Sequence, residues 1–211
     1  TPGQIVAAGS GAIAALALAA LLFGSFGQGQ GPLAYGRNAI EGQVRESLRL
    51  IGPNGWAPKG DIIRWVTGPD SGTHCSTKET YGDFVMRVDF RLPCMSDSGV
   101  IIKRGIQVNI WGWKQGSGQL WGVRLPEVDG QPQSTDPTSR QDRATGEGST
   151  MLLTVKQNRL TTVLNAVEVM NVLLPQSNRA YEQSIALQNH TEPLEFQNIY
   201  IKGMPADPAK K

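Results

Sequence analysis

Apolar and polar residues alternate most plainly along FVMRVDFRL, where Phe84, Met86, Val88, Phe90 and Leu92 fall on one side and Val85, Arg87, Asp89 and Arg91 on the other. A repeat of two is what an extended strand with one buried face requires. GVIIKRGIQVNIWGW continues in the same way, with Ile106, Val108 and Ile110 opposing Gln107, Asn109 and Trp111. The run MLLTVKQNRLTTVLNAVEVM reads as two or three strands with turns near Gln157–Asn158 and Asn165–Ala166. PLEFQNIYIK reads as a closing strand, and Asp97-Ser98-Gly99 as a turn. Polar clusters separate these runs and no long amphipathic helix interrupts them, so the pattern predicts an all-β sandwich.

The N-terminal segment carries a different pattern. The first 36 residues contain no Asp, Glu, Lys or Arg, and Ile5 to Phe26 is a 22-residue stretch without a charge. As a helix it would span about 33 Å, enough for a bilayer core of about 30 Å. A secretory signal would show basic residues first and a shorter apolar core. This stretch is longer and nothing basic precedes it, which favours a retained transmembrane helix. Small residues from Ala7 to Ala12, and Ala15, suit close packing against other membrane helices. The chain therefore divides into a transmembrane helix (1–27), a Gly-rich linker (28–44), a β-sandwich (45–203) and a C-terminal tail (204–211). NAIEGQVRESLRL, residues 38–50, reads as a short helix or an irregular lead-in. From Glu127 to Ser149 runs a polar loop too long for a simple hairpin; loops of that length are commonly functional or disordered.

Charge changes the picture by exclusion. The net charge is +2, and no Lys/Arg run exceeds the terminal Lys210–Lys211, so a phosphate-tracking surface for nucleic acid has no support. The two cysteines, Cys75 and Cys94, form no C-x-x-C pair and have only His74 near them, so no metal site and no cofactor is expected. Pairing neighbouring runs as a hairpin sets Cys75 opposite residues 85–87, with Cys94 well up the partner strand. Spacing alone leaves a disulfide undecided.

Candidate chemistry is sparse. His190 sits on a polar turn before the closing strand, either as an acid/base or metal-ligating group beside Glu192 or as a turn imidazole; His74 reads as a strand residue. Arg87, Asn109 and Trp111 are candidates for a polar face that binds a ligand by hydrogen bonds and ring stacking. The alternative is a solvated face of cross-strand charge pairs. Most of the tryptophans, Trp56 and Trp65 among them, are expected to pack in the core or on a sheet. Trp111, Trp113 and Trp121 could instead form a protein-docking patch. No Ser-His-Asp signature and no glycine-rich phosphate loop is present.

YGDFVMRVDFRLPCMSDSGVIIKRGIQVNIWG, GSGQLWGVR, VKQNRLTTVLNAVEV and IALQNHTEPLEFQNIYIK, taken in that order, resemble the 3-keto-disaccharide hydrolase domain. The resemblance covers residues 45 to 203 and implies a concanavalin-A-like lectin/glucanase jelly roll acting on, or binding, sugars outside the cytoplasm. It also implies a role for the His190 turn. Three departures stand against it. Where the family reads Tyr-Glu-Val-Gln-Ile this chain has Ile106-Gln107-Val108-Asn109-Ile110, so an acid has become an amide with no titratable proton. Ser149-Thr150 replaces a Trp-Asn pair, and the Leu-Asn-Gly hairpin turn reads Leu164-Asn165-Ala166, from which a change of turn type is expected.

The resulting expectation is a non-catalytic accessory or scaffold subunit of a multi-subunit membrane complex, photosynthetic or respiratory. It is single-pass, with the sandwich on the extracytoplasmic (periplasmic) side and integral membrane subunits as partners. No catalytic residue is assigned unless the chain is an enzyme, in which case His190 and Glu192 are the candidates. The alternative is a membrane-tethered 3-keto-glycoside hydrolase or lyase, or a sugar-binding module.

Overall fold

The alternation in Phe84–Leu92 is realised as the central strand of a sheet. The computed structural model describes residues 48–51, 56–59, 62–65, 74–92, 95–113, 115–179, 181–188, 190 and 193–204, with the backbone alone for those before residue 74. The proposed transmembrane helix and linker, the tail after residue 204, Cys94 and Glu192 lie outside the described residues. No described helix is long and apolar enough to cross a membrane.

The described strands are β1 (Leu48–Ile51), β2 (Trp56–Lys59), β3 (Ile62–Trp65), β4 (His74–Thr77), β5 (Phe84–Arg91), β6 (Asp97–Ile102), β7 (Ile106–Trp111), β8 (Leu120–Trp121), β9 (Gly148–Lys156), β10 (Arg159–Leu164), β11 (Val167–Leu173), β12 (Ala186–Gln188) and β13 (Leu194–Gly203). They form two antiparallel sheets: a front sheet ordered β1-β4-β12-β6-β7-β8 and a back sheet ordered β11-β10-β9-β5-β13-β3-β2. Val100, Ile102, Ile106, Val108 and Ile110 point inward from the front, and Phe84, Met86, Val88, Met151, Leu153 and Phe196 inward from the back. Each such side chain is essentially buried and contributes about 1.5–3 kcal/mol by leaving water. The sandwich is thus a pair of sheets packed face to face around one core.

Two expectations about strand pairing change. β4 and β5 are consecutive but belong to different sheets, so Cys75 faces Leu50 and Leu187 rather than residues 85–87. Cys75 is a free thiol turned into the core, and burial pushes its pKa up to about 12. Asp97-Ser98-Gly99 is not a turn but the start of β6, paired with Trp111, Ile110 and Asn109. Small Ser98 and Gly99 are buried there, which a turn would not require.

The expected turns at Gln157–Asn158 and Asn165–Ala166 are both present. The second keeps positive φ at both central residues, 49° at Asn165 and 71° at Ala166, so the alanine has not changed the turn's backbone. Positive φ at both positions matches the right-handed twist of the hairpin. Asn165 secures it: its side chain accepts from Thr150 N and donates to Gln141 O and to Ser149 Oγ. Ser149, where an aromatic was missing, is therefore part of the turn's polar anchor.

The long loop is a strap. It crosses from β8, the edge of the front sheet, to β11, the edge of the back sheet. Leu120 N donates to Thr135 O, Thr138 N to Val169 O, and Gln133 exchanges hydrogen bonds with both polar backbone groups of Leu173. Backbone groups that an edge strand would leave open are thereby met.

Candidate functional site

The pleat sends Gln107, Asn109 and Trp111 out from the front sheet, because their neighbours Ile106, Val108 and Ile110 fill the core. Register then fixes their surroundings. His74, Gln188, Gly99 and Asn109 stand directly opposite one another in sequence across β4, β12, β6 and β7. The next such row is Ser76, Ala186, Ile101, Gln107 and Trp121. Side chains opposite one another share a face and lie close enough to interact.

Across this face runs a ladder of side-chain amides. Gln107 Nε2 donates to Gln188 Oε1 at 2.6 Å and to Asn109 Oδ1 at 2.9 Å. Asn109 Nδ2 donates to Gln119 Oε1 at 3.3 Å, and Gln119 Nε2 to Asp136 Oδ1 at 2.5 Å. Gly99 makes the first link possible. A Cβ there would stand 2.5 Å from Gln107 Cγ, so the glycine lets Gln107 lie across β6 to reach Gln188. Gln107 is 8% exposed and Asn109 3%, which makes the amides a floor, while Trp121 beside Gln107 is 67% exposed and forms a wall.

Of the residues singled out by sequence, Asn109 and Trp111 lie on this face, and Trp111 Nε1 donates to Gly116 O at 2.9 Å. Arg87 lies on the outer face of the back sheet, across the core from them. There it binds Asp89 through two hydrogen bonds of 3.2 and 3.1 Å, and Asp89 also accepts from Asn198 Nδ2 at 2.7 Å. Arg91 pairs with Glu195 on the same face. Arg91–Glu195 is the cross-strand charge pairing weighed as the alternative for that strand, Arg87–Asp89 runs along β5 itself, and Arg87 does not join Asn109 and Trp111.

Trp113 and Met95 are exposed near the Gly112–Ser96 hydrogen bond, at the end of β7 away from Trp121. Trp111, Trp113 and Trp121 thus border the front face along β7. His190 is half-buried just beyond β12, while its suggested partner Glu192 lies outside the described residues. His74 is a strand residue, as expected. Among the described residues no three His, Cys, Asp or Glu side chains gather where they could hold a metal ion.

Sequence reasoning missed Gln188, Gln119, Asp136 and Gly99. Alternation put Gln107 and Asn109 outside, but their partners come from a three-residue strand and from a loop, neither of which has a periodic signature.

A two-sheet antiparallel sandwich of this order is a jelly-roll-like all-β fold. The model of the 3-keto-alpha-glucoside-1,2-lyase-like domain matches residues 50–202, and the chain belongs to that family. Two putative glycosyl hydrolases from Parabacteroides distasonis share the fold, at 15% and 16% identity and TM-scores of 0.56 and 0.57. The matches cover 75% of this chain and 89% and 94% of theirs. The carbohydrate-binding module CBM66 from Bacillus subtilis is similar at 11% identity and a TM-score of 0.57, over 74% of this chain and 96% of its own. No curated protein matches significantly.

Proposed function

We propose that this chain is a non-catalytic accessory subunit of a membrane complex, in which Ile5–Phe26 is the anchor and the sandwich is an extracytoplasmic docking domain. The observation that carries the proposal is Gln107. At the position where the family places an acid stands a buried neutral amide whose nitrogen donates to Gln188 and Asn109. A general acid or base must trade a proton with its substrate, and a side-chain amide has none to trade near neutral pH. Met95, Trp113 and Trp121 are large apolar side chains left exposed, and exposed aromatics are what docking surfaces use.

The test is purification from native membranes in mild detergent, with mass spectrometry of what co-migrates. The proposal expects membrane partners at fixed stoichiometry. A lone monomer that turns over a 3-keto-disaccharide, with activity lost in His190→Ala, would overturn it.

A second reading is favoured by one observation. Among the described residues, Gln107 Oε1 and Gln188 Nε2 carry no protein hydrogen bond, and they flank a ladder bond beside exposed Trp121. Neutral hydrogen-bonding groups next to an indole suit a saccharide. If titration with neutral glycans leaves tryptophan fluorescence unchanged, the saccharide reading fails.

A further inference from the structure

The amide ladder has a direction, and we propose that Asp136 sets it and thereby fixes which atoms are offered to a neutral sugar at Gln107 and Gln188. A carboxylate accepts hydrogen bonds and donates none. Gln119 must therefore turn Nε2 to Asp136, which leaves Oε1 for Asn109. Asn109 then presents Nδ2 to Gln119 and Oδ1 to Gln107. Gln107 in turn presents Nε2, which also reaches Gln188 Oε1 and, at the longer distance of 3.4 Å, the Ser98 carbonyl, an acceptor that favours the same orientation. The chain ends with one acceptor, Gln107 Oε1, and one donor group, Gln188 Nε2, on either side of the last bond.

That pair fits two neighbouring hydroxyls of one ring, one donating and one accepting, with the ring face on Trp121. Reversing the ladder would exchange donor for acceptor at Gln107, so polarity governs specificity. The free Gln107 oxygen and the Asp136 carboxylate both disfavour an anionic sugar. Asp136 is a positioning residue: it acts through Gln119 and Asn109, and its backbone is held by Ser134, whose Oγ accepts from Asp136 N at 3.0 Å.

This inference rests on the saccharide reading of the front face, and the experiment separates the two. Full-length ¹⁵N-labelled chain in detergent is titrated with trehalose as the neutral probe and glucuronate as the charged one. Tryptophan fluorescence and the side-chain amide NMR signals of Gln107, Asn109, Gln119 and Gln188 are followed. The same is done for Asp136→Asn, which can donate as well as accept, and for Asp136→Glu. We expect trehalose to perturb the Gln107 and Gln188 signals and glucuronate to leave them in place. Asp136→Asn should shift all four amides before any sugar is added and weaken trehalose binding about tenfold, the scale of one well-placed hydrogen bond. Asp136→Glu should restore both.

If wild-type chain binds trehalose and Asp136→Asn changes neither affinity nor the amide signals, the inference is overturned while the saccharide reading stands. If wild-type chain binds no trehalose, the offered site is overturned together with that reading. Melting temperature distinguishes either outcome from loss of fold, which is not expected because Asp136 is exposed.

Discussion

A methyl group at Gly99 would stand 2.5 Å from Gln107 Cγ and 2.7 Å from its Nε2. Gly99→Ala must therefore push the Gln107 side chain off β6 and away from Gln188. The expected loss is about 1–3 kcal/mol of unfolding free energy, the scale of overpacking in a close-packed site, read by chemical denaturation. The Gln188 side-chain amide signal should move with it. Unchanged stability and an unmoved Gln188 would show that Gln107 does not need this glycine. Ala166 poses the opposite case. Its φ of 71° is a conformation that glycine adopts freely and alanine does not. Ala166→Gly should therefore stabilise the chain by about 0.5–1 kcal/mol, despite the added freedom of the unfolded chain. A lower melting temperature in that variant would contradict the assigned turn.

At the level of elements, Lys103 ties together three connections. It lies in the short link between β6 and β7, and its Nζ donates to Gln157 O at the β9–β10 turn and to Asn178 O and Arg179 O after β11. Asp83 stands 3.5 Å from it, and the side chain is fully buried. Lys103→Met would leave Asp83 and these carbonyls without their cation, at a cost of about 3 kcal/mol near pH 7.

Desolvation lowers the Lys103 pKa from 10.5, partly offset by Asp83 and Glu182. The native state thus sheds this proton at a lower pH than the unfolded chain does. Between the lowered value and 10.5 the unfolded state binds more protons, so stability from this group rises with pH there. Below that window the full penalty for a buried ammonium applies. The stability gap between wild type and Lys103→Met should accordingly widen as pH climbs toward 10.5. A gap that narrows would mean that burial does not dominate.

The long strands were legible in the sequence, because β5, β7 and β9 to β11 carry a repeat of two, and β9 and β10 end at Asn-containing turns. The assignment of β4 to the opposite sheet from β5 was not, since adjacency along the chain does not reveal which strand crosses over. The amide ladder was legible only in its β7 half. Gln188 and Asp136 lie 81 and 17 residues from the partners they bond, and that pairing is set by register, not by local pattern.

The whole molecule sets a geometric constraint on any partner. The core separates its two outer faces by about 10 Å of packed side chains. The front bears neutral amides and exposed tryptophans; the back bears the Arg87–Asp89–Asn198 and Arg91–Glu195 pairs, each satisfied within the sheet. Ion pairs already closed on themselves offer a partner little, because engaging them first requires breaking them. Desolvating an exposed indole costs little and covers much area. On the proposed subunit reading, the front face is therefore the side on which docking should be felt. Trp121→Arg, which keeps a bulky side chain but removes the apolar wall, should release membrane partners from the purified complex or lower their stoichiometry. Arg87→Ala should leave the partners in place while costing about 1–3 kcal/mol of stability, because the buried Asp89 carboxylate loses its cation. Quantitative mass spectrometry of the two variants, purified side by side, decides the matter. If Arg87→Ala strips the partners and Trp121→Arg retains them, the back sheet is the docking face and the exposed tryptophans have another use.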